Sequence, residues 1–159
     1  MTVIAVDTNA LLAILYDDDA HADRAEEALR DGYQRGRLVT TPIVYSELAA
    51  DGQFDASADL DRFLSDMSIT VVDPSREAIF RAGDAFDTYT ARRPDGLQCP
   101  ECGTERTATC PDCGHDLTPR QHVAADFVIG GHALVDADEL VTFDQAFYES
   151  YFSGLTLTP

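Results

Sequence analysis

The chain has 159 residues, 45% of them apolar, enough for one ordinary domain with a sizeable core, so wholesale disorder is excluded. Its 29 acids face 11 bases, a formal charge of −18; every base is Arg, and Asp outnumbers Glu by 21 to 8. That balance rules out a basic nucleic-acid groove spread over the whole surface and makes an anionic membrane a poor partner.

Val3 to Val6 (VIAV) is too short for a helix and suits a buried strand. After Asp7-Thr8-Asn9, residues Leu11, Leu12, Ile14 and Leu15 recur at helical spacing, so the chain opens strand, polar turn, helix. Ala20 to Arg35 alternates acids, Arg and Ala, as a mostly exposed helix does. Leu38 to Thr41 is the next strand. Thr41-Pro42 then starts a helix, because Thr caps and Pro suits the first helical position. That helix carries Val44, Glu47 and Leu48 and ends near Asp51-Gly52. A helix over Ala56 to Met67 and a strand from Ile69 to Val72 follow, with a break at Asp73-Pro74. Ser75 to about Arg92 reads as a helix that buries Ile79, Phe80 and Phe86. A long helix resumes near Pro119 and runs to about Val135. Leu140 to Thr142 is a strand, Gln145 to Phe152 a helix, and Leu155 to Thr158 a final edge strand. Phe143, Phe147, Tyr148, Tyr151 and Phe152 are spaced as helix core rather than as a base-stacking platform. The alternation predicts an α/β fold around a mostly parallel sheet covered on both faces.

One segment breaks this pattern. Residues 94–119 are rich in Pro, Gly, Thr and Cys and lack apolar periodicity, so they read as an insertion between two helices of a single domain spanning 1–159. Cys99-Pro100-Glu101-Cys102-Gly103 and Cys110-Pro111-Asp112-Cys113-Gly114 are near-copies. Two close pairs of thiolates suit a tetrahedral structural Zn²⁺, and the Gly after each pair permits the turn that aims N–H groups at sulfur. A redox dithiol pair or an iron–sulfur cluster are the alternatives. His115 is a substitute ligand or an exposed flanking residue. Residues 92–120 hold four Arg and five acids, a net −1 against −17 for the other 130. That suits either an RNA-facing patch or a stapled loop that shields a neighbour.

Four acids stand apart from the rest. Asp7 is the only charge from Met1 to Tyr16, Glu47 from Leu38 to Ala50, Asp126 from Val123 to Val135 and Asp144 from Leu140 to Tyr148. These segments hold 4 charges in 51 residues, while the other 108 residues hold 36, so the lone acids are poorly explained as surface coating. Asp7 and Asp144 each follow a predicted strand, and open α/β sheets bind ligands at strand carboxyl ends. Clustered carboxylates need a cation, and hard oxygen donors suit Mg²⁺ or Mn²⁺, which activate water and stabilise charge on a phosphodiester. The competing reading is that one or two of the four only cap helices.

The segments VIAVDTNALLAIL, SELAA, DFVIGGHAL and LVTFDQAFYESY, in that order, resemble a PIN-domain ribonuclease, nearest the VapC-type toxin branch. The resemblance covers nearly the whole chain except the Cys insertion. It implies a three-layer α/β/α sandwich with a four- or five-stranded, mostly parallel sheet and an Mg²⁺ or Mn²⁺ site that cuts RNA. By that resemblance Asp7, Glu47, Asp126 and Asp144 hold the metal and carry catalysis, and Asn9, Thr142 and Thr8 support them. The expected partners are RNA, an antitoxin protein and a second copy in a homodimer. A housekeeping RNA-processing nuclease and a non-catalytic zinc-containing binding module are the alternatives; the intact acids count against the second. His122 and His132 flank Asp126 and are expected to serve packing or helix surface rather than substrate. Arg92, Arg93 and Arg120 flank the insertion, as phosphate contacts or as solvated helix ends.

With no apolar run suited to spanning a bilayer and no basic leader, a cytoplasmic setting is expected, where four Cys point to metal before disulfides. At about 1 M salt the Debye length is only ~3 Å and exposed carboxylates barely repel. The Asp-rich, Lys-free composition resembles cytosolic proteins of salt-loving archaea; an acidic protein with a basic partner is the alternative.

Overall fold

The computed structural model describes residues 1–16, 19–92, 96–99, 104–117 and 124–159. Its centre is a five-stranded sheet in the order β3-β2-β1-β8-β9, with every pair parallel: β1 Thr2–Val6, β2 Gly36–Thr40, β3 Ile69–Val71, β8 Glu139–Val141 and β9 Leu157–Thr158. Ile4, Ala5 and Val6 are all buried, as are Leu38, Val39 and Thr40. Successive strand residues point to opposite faces, so consecutive burial means that helices cover both. The chain moves outward from β1 to β2 and β3, then returns to the far side of β1 for β8 and β9. The reversal between β1 and β8 is a topological switch point, where such sheets open a crevice.

The helices are α1 Thr8–Leu15, α2 Ala22–Arg35, α3 Pro42–Ala50, α4 Ser57–Asp66, α5 Arg76–Arg92, α6 Ala125–Asp136 and α7 Gln145–Tyr151. Thr41 caps α3 as expected, its hydroxyl accepting from the Val44 N–H at 3.4 Å. None of the described helices is long and apolar enough to cross a membrane. The helix expected to resume near Pro119 begins only at Ala125, because Ala124 before it is extended (φ −77, ψ 157); residues 118–123, with Arg120 and His122, lie outside the described residues.

One expectation about burial fails. In α5, Phe86 joins the core margin, but Ile79 is 47% and Phe80 67% exposed. The buried face is instead Ala78, Ala82 and Ala85. Small residues win because α5 meets α6 at backbone distance: a Cβ on Gly131 would lie 2.3 Å from the Ala78 carbonyl oxygen. No large side chain fits there, so the helix presents its alanine stripe and turns Ile79 and Phe80 away. Beside this contact Phe127 of α6 gathers Phe86, Phe147 and Tyr151 at centroid distances of 5.0–5.6 Å. The aromatic run of α7 is therefore core-facing, as its spacing predicts, and Arg92 lies over the Tyr151 ring at 6.0 Å.

Between α5 and α6 the insertion forms two short antiparallel hairpins. β4 Leu97–Gln98 pairs with β5 Glu105–Arg106, and β6 Ala108–Thr109 with β7 Asp116–Leu117. The described residues of the two halves share one bond: the Cys99 N–H donates to the Thr104 carbonyl at 2.9 Å and the Cys110 N–H to the His115 carbonyl at 2.8 Å. Gly114 takes φ +73, the left-handed turn expected of the residue after a Cys pair. Cys99, Cys110 and Cys113 are free thiols, and Cys102 lies outside the described residues.

Candidate active site

Asp7 sits where β1 ends and α1 begins, its N–H bonded to the Val141 carbonyl of β8 at 3.0 Å. It is only 3% exposed. One carboxylate oxygen accepts from the Thr8 N–H at 2.7 Å, so Asp7 also caps α1. The other accepts from the Thr142 hydroxyl at 2.7 Å, the Asn9 amide at 3.0 Å and the Tyr148 hydroxyl at 3.1 Å. Burial pushes this carboxyl up to about 6, against the opposing pull of the Thr142 hydroxyl and the Thr8 N–H; the negative charge of Asp126 adds to the rise.

Asp7, Glu47, Asp126 and Asp144 come together electrostatically. Asp126, in the first turn of α6, is open to solvent on its outer side, yet its carboxyl is raised by partial burial and by the charges of Glu47 and Asp144. Tyr148 is raised by burial and by the charges of Asp7, Asp126 and Asp144. Glu47 of α3, half-buried, accepts from the Thr8 hydroxyl. Asp144 is exposed, and its N–H donates to the Thr142 hydroxyl at 3.1 Å. The acids thus grade from buried Asp7 to exposed Asp126 and Asp144 across the switch point. Thr8, Asn9 and Thr142 each hydrogen-bond one of these acids, and Asn9 further fixes the turn by accepting from the Phe143 N–H at 3.1 Å.

Among the described residues, no three His, Cys, Asp or Glu side chains converge as a ready-made metal cage. The donor chemistry fits Mg²⁺ or Mn²⁺: hard oxygens only, with no Arg or His paired to these four acids among the described residues.

The structure adds a residue that spacing had assigned to packing alone. Tyr148 is buried in the aromatic core and also spends its hydroxyl on Asp7. The signal was present, because a buried tyrosine needs a partner for its O–H and this one stands in the first turn of α7, the helix that Asp144 precedes. His132 is buried as expected, its Nδ1 3.2 Å from Asp136.

In the insertion, Cys110 is held below the usual thiol range by the N–H groups of Cys113 and Asp112 and by the Cys113 thiol.

A parallel α/β sheet with a buried acid at its switch point and three more acids around it belongs to the class of acid-site α/β proteins. The profile of the PIN domain matches residues 4–152. The chain is a member of the PIN-domain family, whose members are nucleases that generally use Mg²⁺ or Mn²⁺. No curated protein sequence matches it. Solved structures with a similar fold include Rickettsia felis VapBC2 bound to a promoter DNA fragment, at TM-score 0.62 and 19% identity, covering 98% of this chain and 97% of that one. DNA-bound VapBC from Salmonella typhimurium gives 0.60 and 19%, covering 99% and 98%. VapBC-1 from nontypeable Haemophilus influenzae gives 0.60 and 17%, covering 98% and 96%.

Proposed function

We propose that the chain is a metal-dependent endoribonuclease and the toxin of a toxin–antitoxin pair. The observation that carries the nuclease reading is the carboxylate group itself: Asp7, buried and raised to about 6, with Asp126 raised beside it by Glu47 and Asp144. Such an arrangement costs stability and has no packing purpose. It gains one if the four acids share Mg²⁺ or Mn²⁺, which when bound polarises a phosphodiester and lowers the pKa of water.

The chain's own residues divide the remaining work. Thr142, Asn9, Tyr148 and the Thr8 N–H hold Asp7 in one orientation, so its carboxylate is placed before substrate arrives. Thr8 does the same for Glu47. Asp126 and Asp144, on the open side, are the acids that an incoming strand meets first.

The toxin assignment is supported by the likeness in fold to the VapBC complexes. With it come a protein antitoxin, a homodimer and a cytoplasmic RNA target. The 94–119 segment is a zinc-binding insertion within the single domain, with Cys99, Cys102, Cys110 and Cys113 as ligands. The matching hairpins and the lowered Cys110 thiol support that reading. The acidic coat is adapted to molar salt.

Purified protein in high salt with Mn²⁺ will cleave RNA, chelation will stop it, and Asp126→Asn will abolish cleavage while keeping the fold. A wild type inert on varied RNAs while binding Mn²⁺ normally removes the nuclease reading. Elemental analysis will find about one zinc per chain; its absence from protein purified without chelators removes the zinc reading. A small DNA-binding protein encoded just upstream, co-purifying with the chain, is the expected antitoxin.

A further inference from the structure

A nuclease needs, besides its acids, groups that grip the strand, and in a chain of −18 the cations near the site are few. One cluster stands at the carboxyl end of β8. His21, just before α2, stacks on Phe143 with ring centroids 4.5 Å apart and planes 17° from parallel. Arg24, at the start of α2, holds its guanidinium carbon 5.5 Å from the centroid of the same ring. His21 and Arg24 are exposed and Phe143 is half-buried.

The cluster is tied to the acids through the backbone. Phe143 lies between Thr142, which donates to Asp7, and Asp144. Its N–H donates to Asn9 at 3.1 Å, and the Asn9 amide donates to Asp7 at 3.0 Å.

Among the described residues, neither side chain has the ordinary structural employment. His21 occupies the N-cap position of α2 without a side-chain capping bond. Arg30, Arg35, Arg62 and Arg81 each hold a carboxylate, whereas among the described residues no carboxylate pairs with Arg24, which lies over an aromatic ring instead.

We propose that His21, Phe143 and Arg24 grip single-stranded RNA beside the acids. The exposed imidazole, backed by the phenyl ring, stacks an unpaired base, and Arg24 takes a neighbouring phosphate. Stacking on such a plane tolerates any base, and a guanidinium suits both ring and phosphate. The grip lets an acidic surface hold a polyanion locally without a basic groove. It rests on the ribonuclease reading above.

The test uses the full chain and a short fluorescein-labelled single-stranded RNA of mixed sequence. Binding is read by anisotropy in an Asp126→Asn background and cleavage in the active protein. His21→Ala and Arg24→Gln are expected to weaken binding by about tenfold each. In the active protein they raise KM and leave kcat unchanged, the signature of a lost binding contact. His21→Phe, which keeps the stacking plane, retains affinity. Arg24→Gln also flattens the log–log salt dependence by about 0.7, the share of one single-strand phosphate contact. Both residues are exposed, so melting temperatures stay put. Variants that match wild type in affinity and KM, while wild type binds and cleaves, overturn the grip alone. A wild type that neither binds nor cleaves RNA overturns the ribonuclease reading and the grip together.

Discussion

Replacing Asp7 by Asn should disable the protein and stabilise it. Asp7 is taken from a carboxyl value of 3.8 to about 6 by burial, and at pH 7 it is held ionised against that burial. The difference corresponds to about 3 kcal/mol of native-state stability forfeited at neutral pH. The sign follows from the raised folded value. Asp7's contribution is fully present below about pH 4, where both states are protonated, and is lost as pH rises through about 6. Asn carries no charge to desolvate, but its amide meets donors that one carboxylate oxygen now accepts from Thr142, Asn9 and Tyr148, at a cost of about 1 kcal/mol. The net gain for Asp7→Asn at pH 7 in chelator is therefore about 2 kcal/mol, or about 5 °C in melting temperature for a chain of this size. Thermal melts at pH 4 and pH 7, with chelator and with Mn²⁺, read it directly. The advantage should vanish at pH 4, and Mn²⁺ should stabilise wild type while leaving the variant unmoved. An Asn variant that melts below wild type at pH 7 in chelator, or an advantage that persists at pH 4, refutes the burial argument.

Gly131→Ala should destabilise by at least about 2 kcal/mol, because its Cβ would meet the Ala78 carbonyl at 2.3 Å. Gly83→Ala in the same helix pair, with nothing within 4 Å of the new Cβ, should stabilise by about 1 kcal/mol in the same urea titration. Arg35→Ala strands buried Glu139, whose carboxylate the guanidinium grips at 2.6 and 3.0 Å. A loss of about 2 kcal/mol is expected at neutral pH. Arg35 holds Glu139 below its ordinary value. That stability is present above the unfolded value and disappears as pH falls through the folded one, so wild type and Arg35→Ala should converge in acid unfolding. Tyr148→Phe removes one hydrogen bond to the Asp7 carboxylate, and the apparent pKa governing Mn²⁺ binding should move upward when binding is followed by calorimetry across pH.

The strands, most helices and the sheet class were legible because local pattern carries them: VIAV can be little else than a buried strand, and Thr41-Pro42 little else than a helix start. What was not legible depends on partners distant in sequence. Glu139 looks like one more surface acid until Arg35, 104 positions away, reaches it. Ile79 and Phe80 look like core until Gly131 brings a second helix so close that only alanines fit between. His21 and Phe143 lie on opposite sides of the chain's middle, and nothing in either neighbourhood announces a stack.

The acids were legible for a different reason, and it is the same reason that Asp7 is raised. A carboxylate rises in pKa when the chain around it supplies apolar bulk instead of water and counter-charge, and a chain that does so reads as a long uncharged segment with one acid in it. Met1 to Tyr16 is such a segment, and Asp7 within it is, among the described residues, an acid raised to about 6. The isolation that marks Asp7 in the sequence is thus the cause of its strain in the fold. Asp126 and Asp144 are equally isolated in sequence but sit at the exposed rim, where Asp126 is raised by partial burial together with the charges of Glu47 and Asp144. Tyr148 completes the logic from the other side: it is an apolar residue by pattern, and only the buried charge of Asp7 makes its hydroxyl necessary. The position of a buried acid can be read from the absence of its competitors, whereas the groups that tolerate its charge become visible only when the chain closes around it.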